Sequence, residues 1–185
     1  MTMSYGTTIP GLKIDGKDAP FPVVNEREIR AAAGLMFLLG GMTFAYVFFT
    51  RDYLPIYVLI PLFWLDFFLK TVFQPKYSIF GWIASWMVRG QKPEYVGAIQ
   101  KRFAWGIGLT LASVMLIFVV GLGVRGILPF SICSICLFFM WMESALGICV
   151  GCKIYAQLLK WKILKEPAVR PTCPGGACSI TRPPQ

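Results

Sequence analysis

Four long apolar stretches, separated by charged or proline-containing segments, dominate the chain. The first covers about Ala31–Phe49 and the second Ile56–Phe73, with only Arg51, Asp52 and a proline at position 55 marking the turn between them. The third covers about Phe103–Val124. The fourth opens at Ile127 and meets one charge, Glu143, before Lys153. A bilayer core takes about 20 apolar residues of helix to cross, so each stretch predicts a transmembrane helix. Asn25 predicts the N-cap of the first, with Glu26 and Glu28 at its positive end. A shorter segment after Pro75 places Ile79, Trp82, Ile83 and Trp86 at helical spacing. It is too short to span, so it predicts a helix in the headgroup plane anchored by Trp82 and Trp86.

The ends read differently. Residues 1–24 are Gly- and Pro-rich and predict an irregular arm; residues 25–165 form the four-helix domain; residues 166–185 contain five prolines and a Gly175–Gly176 pair, which argue against a regular element. Such arms suit docking on a partner. The first 30 residues are polar and do not resemble a cleavable signal, so the first span is expected to serve as its own insertion signal.

Composition narrows the class to an all-α membrane protein. The chain has 185 residues, 56% of them hydrophobic, and a mean hydropathy of +0.63. The net charge of +9 would suit nucleic acid, but Lys and Arg flank the spans instead of forming one basic face. Their distribution fixes an expected orientation. Arg51 and Arg125 fall on one side, and the arm, the Lys76–Arg102 region and the end of the chain fall on the other. The positive-inside rule then places both termini in the cytoplasm. Histidine is absent, which excludes imidazole ligation of haem or zinc and His-based acid–base catalysis.

Candidate chemistry lies in the cysteines and two intramembrane acids. Six cysteines form three close pairs: Cys133/Cys136, Cys149/Cys152 and Cys173/Cys178. On one unbroken helix Cys136 and Cys149 would lie about 20 Å apart, so no metal site is expected. Helical C-x-x-C does allow disulfide or persulfide exchange. The alternative for Cys133/Cys136 is packing as small apolar residues. Cys149/Cys152 lie nearer water and Lys153, which favours reactivity.

Read as one helix, the fourth span places Cys133, Cys136, Met140, Glu143, Gly147 and Gly151 in a stripe about 80° wide. Gly147 and Gly151 would then admit a neighbouring helix closely. Glu143 falls near the middle of that span, where a hydrogen bond to another helix is the simplest role and tuning of a thiol site the alternative. Asp66 stands four residues before Lys70, so an i,i+4 pair is favoured over a functional acid.

Several stretches together resemble a bacterial membrane family known as domain of unknown function 4395: NEREIRAAAG, LDFFLK, PKYSIFG, QKRFA and MESALGICVGCKIYA. The resemblance covers about residues 22–158, and its most specific part is the pattern made by Glu143, Leu146, Gly147, Cys149, Gly151 and Cys152. It implies a small helical membrane domain. It also implies thiol or sulfur chemistry, because the family sometimes appears beside thioredoxin-like or sulfurtransferase proteins. Cys133/Cys136 and the tail Cys173/Cys178 depart from the common pattern.

The expectation from sequence is an accessory or structural subunit of a larger membrane complex in a bacterial plasma membrane, not an enzyme by itself. Bound lipids and other membrane subunits are its expected companions, with no cofactor and no nucleic acid. The alternative is a thiol-redox or sulfur-transfer protein using Cys149 and Cys152, with Glu143 tuning the site.

Overall fold

The computed structural model describes residues 5–8, 13–14, 17–18, 22–164 and 180–181. Among these residues four helices are long and apolar enough to cross a membrane: 26–50, 54–73, 98–121 and 127–146. We label them α1 (Glu26–Thr50), α2 (Leu54–Phe68), α4 (Ala98–Met115) and α5 (Ile127–Leu146). Helix α2 continues as a π-helical turn, Leu69–Phe73, and α4 as another, Leu116–Gly121. Two shorter helices complete the set, α3 (Ile79–Met87) and α6 (Val150–Lys160).

The helices start and stop for identifiable reasons. The Asn25 side chain accepts from the Arg27 N–H and caps α1, with Glu26 and Glu28 in its first turn. Arg51 adopts a left-handed conformation (φ 60°) and returns its N–H to Val47, while the Asp52 carboxylate accepts from the Leu54 N–H, so α1 and α2 form a tight hairpin. Helix α1 packs mainly on α5 and α3, and α4 packs on α6 and α2. Close contact is achieved through small residues. A Cβ on Gly108 would fall 2.6 Å from the Phe67 ring, and one on Gly40 would fall 3.0 Å from Leu137. Trp64 Nε1 donates to Ser113 Oγ at 2.9 Å, tying α2 to α4.

The structure departs from the sequence expectation at both arms. Residues 23–25 form a strand, β3, paired antiparallel with β4 (Tyr95–Gly97), and Thr7 bridges to Val23. Farther out, β1 (Lys13–Ile14) pairs with β2 (Lys17–Asp18) and with β5 (Ile180–Thr181). An arm expected to be irregular, and a tail expected to lack a regular element, thus contribute short strands that pair within the chain. Backbone pairing needs no apolar periodicity, so hydropathy gave no sign of it. Tyr5 then packs against Trp105, with ring centroids 6.4 Å apart, and donates its hydroxyl to the Lys70 carbonyl.

The largest departure is in the last apolar stretch. Expected as one helix, it breaks after Leu146. Gly147 has φ 65°, and the N–H groups of Gly147 and Ile148 both return to the Met142 carbonyl, closing α5. The chain restarts as α6, with Cys149 as its N-cap. Glycine is suited to this left-handed closure because it has no Cβ to clash. Helix α6 then lies against α4: a Cβ on Gly151 would sit 2.5 Å from Ala104 Cβ, and Tyr155 meets Phe103 with centroids 5.3 Å apart.

Candidate functional site

The break at Gly147 sets up the first cluster. Cys149 is extended (φ −81°, ψ 99°), and its Sγ accepts from the Cys152 N–H at 3.2 Å. The two residues are joined as a disulfide with Cα atoms 5.2 Å apart, inside the range that a disulfide requires. The pair therefore occupies the first turn of α6, where unsatisfied N–H groups concentrate positive charge and stabilise an anion such as a thiolate. Both residues are largely covered, with 6% and 8% exposure. Lys153 follows directly and is exposed.

A second cluster lies beside the first. Lys101, buried on α4, places its Nζ 2.7 Å from Glu26 Oε2 and 2.5 Å from Glu143 Oε1. One ammonium thus joins the start of α1 to the end of α5. Glu143 sits in the last turn of α5 because the helix ends at Leu146, not near mid-span as an unbroken helix would have it. Arg30 covers the same end of α5. Its Nη2 donates to the Ser144 carbonyl at 3.3 Å, and its guanidinium lies against Gly147. A cation there suits the negative end of a helix. Sequence alone marked Lys101 only as a boundary residue. Sequence carried no sign of the pairing, because the apolar run continues to Cys152 and hides that Glu143 stands in the last turn of α5.

The third cluster is centred on Asp66, which is fully buried. Its carboxylate accepts from Lys70 Nζ at 2.9 Å, from Ser78 Oγ at 2.7 Å and from the Phe80 N–H at 3.1 Å. Lys70 Nζ also lies 4.2 Å from the Phe67 ring centroid. The i,i+4 pair exists, but in the interior, where it ties α2 to the start of α3. Ser78 was not singled out from sequence; it caps α3 by accepting from the Gly81 N–H at 2.9 Å.

The remaining predicted residues are placed as follows. Trp82 and Trp86 project from α3 with 74% and 69% exposure, opposite the buried Phe80 and Ala84. Cys133 and Cys136 are free thiols two to three turns inside α5. With Met140 and Glu143 they line a partly open cavity of about 850 Å³ between the helices. Gly147 and Gly151 leave that stripe, since one closes α5 and the other packs α6 on Ala104. Cys173 and Cys178 lie outside the described residues. Among the described residues no group of three or more His, Cys, Asp or Glu is arranged to hold a metal ion.

The cysteine turn, its glycines and Glu143 all fall inside residues 24–160, which match the family described as Domain of unknown function (DUF4395). The chain belongs to this family. No curated protein matches the chain, and no solved structure does. The family match ends at residue 160, so it takes in Cys149 and Cys152 but not Cys173 or Cys178.

Proposed function

We propose that this protein is a membrane-embedded thiol–disulfide exchange protein whose working pair is Cys149/Cys152. The observation that carries the proposal is the disulfide in the first turn of α6, at a helix N-terminus created by the Gly147 break. A partner thiolate attacks Cys149 Sγ and forms a mixed disulfide, releasing Cys152 as a thiolate among the first N–H groups of α6. A second partner thiol then displaces Cys149. The partner leaves as a disulfide, and this pair holds the two electrons and two protons as a dithiol. A thioredoxin-like protein, which carries two thiols, fits this chemistry.

The Glu26–Lys101–Glu143 cluster supports the site by holding α1, α4 and α5 together next to α6. The distribution of Lys and Arg supports a cytoplasmic position for α6 and for both termini. The exposed Trp82 and Trp86 support α3 as a helix lying in the headgroup plane.

The test is thiol trapping. Membranes are quenched in acid and alkylated with a mass-tagged maleimide, comparing wild type with Cys149→Ser and Cys152→Ser. The wild-type pair is expected to move between oxidised and reduced populations as cells meet oxidant or reductant. Cys152→Ser is expected to accumulate a mixed disulfide through Cys149. A folded protein whose pair never responds, and whose Cys152→Ser variant traps nothing, sinks the proposal and returns an accessory-subunit role to first place.

A further inference from the structure

We infer that α6 lies in the cytoplasmic headgroup plane as a second surface helix, and that its lysine stripe is a binding site for anionic phospholipid. The inference goes beyond the exchange role and does not depend on it. Helix α6 has three chemically distinct sides. At about 100° per residue, Lys153, Gln157 and Lys160 fall in an exposed stripe about 60° wide. Beside it runs an apolar edge with Ile154, 39% exposed, and Trp161, 62% exposed. The third side carries Gly151 and Tyr155, which pack on α4, and the buried Cys152.

Two contacts fix how the helix runs. Gly151 stands against Ala104 and, four residues on, Tyr155 stands against Phe103. Four residues carry α6 forward by about 6 Å, yet the contact moves by only one residue along α4. The two helices therefore cross steeply, and α6 runs across the bundle instead of along it. The crossing lies at Phe103 and Ala104, directly after Lys101 and Arg102 at the charged start of α4. Val150 and Ile154, on the apolar edge, also line the cavity between the spanning helices. That edge thus points toward the hydrocarbon, which leaves the lysine stripe to the headgroups.

Charge selects the lipid. Among the described residues Lys153, Lys160 and Lys162 have no carboxylate partner. The sequence has no Asp or Glu between Glu143 and Glu166 to supply one locally. Lys162 adopts a left-handed conformation (φ 56°) and closes α6 beside Trp161. A short basic helix with a tryptophan on its apolar edge suits a surface of anionic phosphates. An acidic protein would match the lysines, but not an apolar edge turned toward the bilayer.

The experiment uses the full chain in nanodiscs of phosphatidylcholine and phosphatidylglycerol, with one of the two lipids at a time brominated on its acyl chains. Bromine quenches a nearby tryptophan, and the Trp161 signal is the difference between wild type and Trp161→Phe. Quenching of Trp161 is expected to be at least about twofold stronger when phosphatidylglycerol carries the bromine, and the excess to fall as salt is raised. The triple variant Lys153→Gln, Lys160→Gln, Lys162→Gln is expected to lose the excess. The same three changes to Arg are expected to keep it, with quenching of the remaining tryptophans unchanged in both.

Equal quenching of Trp161 by the two lipids overturns the anionic-lipid site. Quenching by neither overturns the surface placement as well, and hands the lysine stripe to a soluble acidic partner. An excess that survives the glutamine variant removes the lysines as its source. None of these outcomes bears on whether Cys149 and Cys152 respond in thiol trapping, so this inference and the exchange role fail separately.

Discussion

Asp66 shows what a single buried charge must satisfy at the residue scale. It serves three donors at once, an ammonium, a hydroxyl and a backbone N–H. Asp66→Ala would leave Lys70 charged and unpaired in the interior, a loss of about 3–5 kcal/mol for a broken buried pair. Asp66→Asn keeps the shape and part of the hydrogen bonding, so it is expected to cost less. Reversible unfolding in mixed micelles measures both; an Asp66→Ala protein as stable as wild type would show that this carboxylate does not tie α2 to α3. The i,i+4 spacing made the Asp66–Lys70 pair legible in sequence. Ser78 and Phe80 were not, because they reach Asp66 only through the turn after Phe73. Glu143 makes the same point: an acid in an apolar span requires a partner, but only packing of α4 beside α5 identifies Lys101.

At the scale of the element, the break at Gly147 reverses the expected sign of a mutation. In one continuous helix Gly147→Ala would stabilise by about 1 kcal/mol, since alanine is the better helix former. With Gly147 left-handed at the end of α5, the same change is expected to destabilise by about 1–2 kcal/mol, and its Cβ would also approach Arg30 to 3.3 Å. Denaturation of Gly147→Ala in micelles decides between the two, and a stabilised variant would contradict the break. The sequence hid this break because Ile148, Cys149 and Val150 are as apolar as the span before them, so hydropathy runs through it. The glycines themselves were legible, but as a packing pair on one face. Gly151 does pack closely, on Ala104, from a different helix.

For the molecule as a whole, the N-terminal arm is part of the bundle. Tyr5 sits between Trp105 and the end of α2, with its hydroxyl on the Lys70 carbonyl. Burial raises its pKa above the ordinary tyrosine value, opposed by the Arg102 guanidinium over its ring. The folded protein therefore keeps a phenol proton that the unfolded chain loses. The stability this contributes is fully present below about pH 10 and falls as pH rises above it. Tyr5→Phe is expected to be less stable than wild type by about 1 kcal/mol near neutral pH, for the lost hydrogen bond. That gap should shrink as pH is raised toward about pH 11. Unfolding midpoints of the two proteins across this range check it, and a gap that does not change with pH would place Tyr5 in solvent.

From sequence came four spans, the approximate ends of the first three, the N-cap at Asn25 and the Asp66–Lys70 pair. Each follows from local chemistry: apolar length against bilayer thickness, or spacing along one helix. The tertiary structure alone decided the pairing of both arms within the chain, the break that places Cys149 and Cys152 in the first turn of α6, and the meeting of Glu26, Glu143 and Lys101. These depend on which segments become neighbours. Hydropathy records that a residue leaves water, whereas only the packed bundle determines which side chain it then meets.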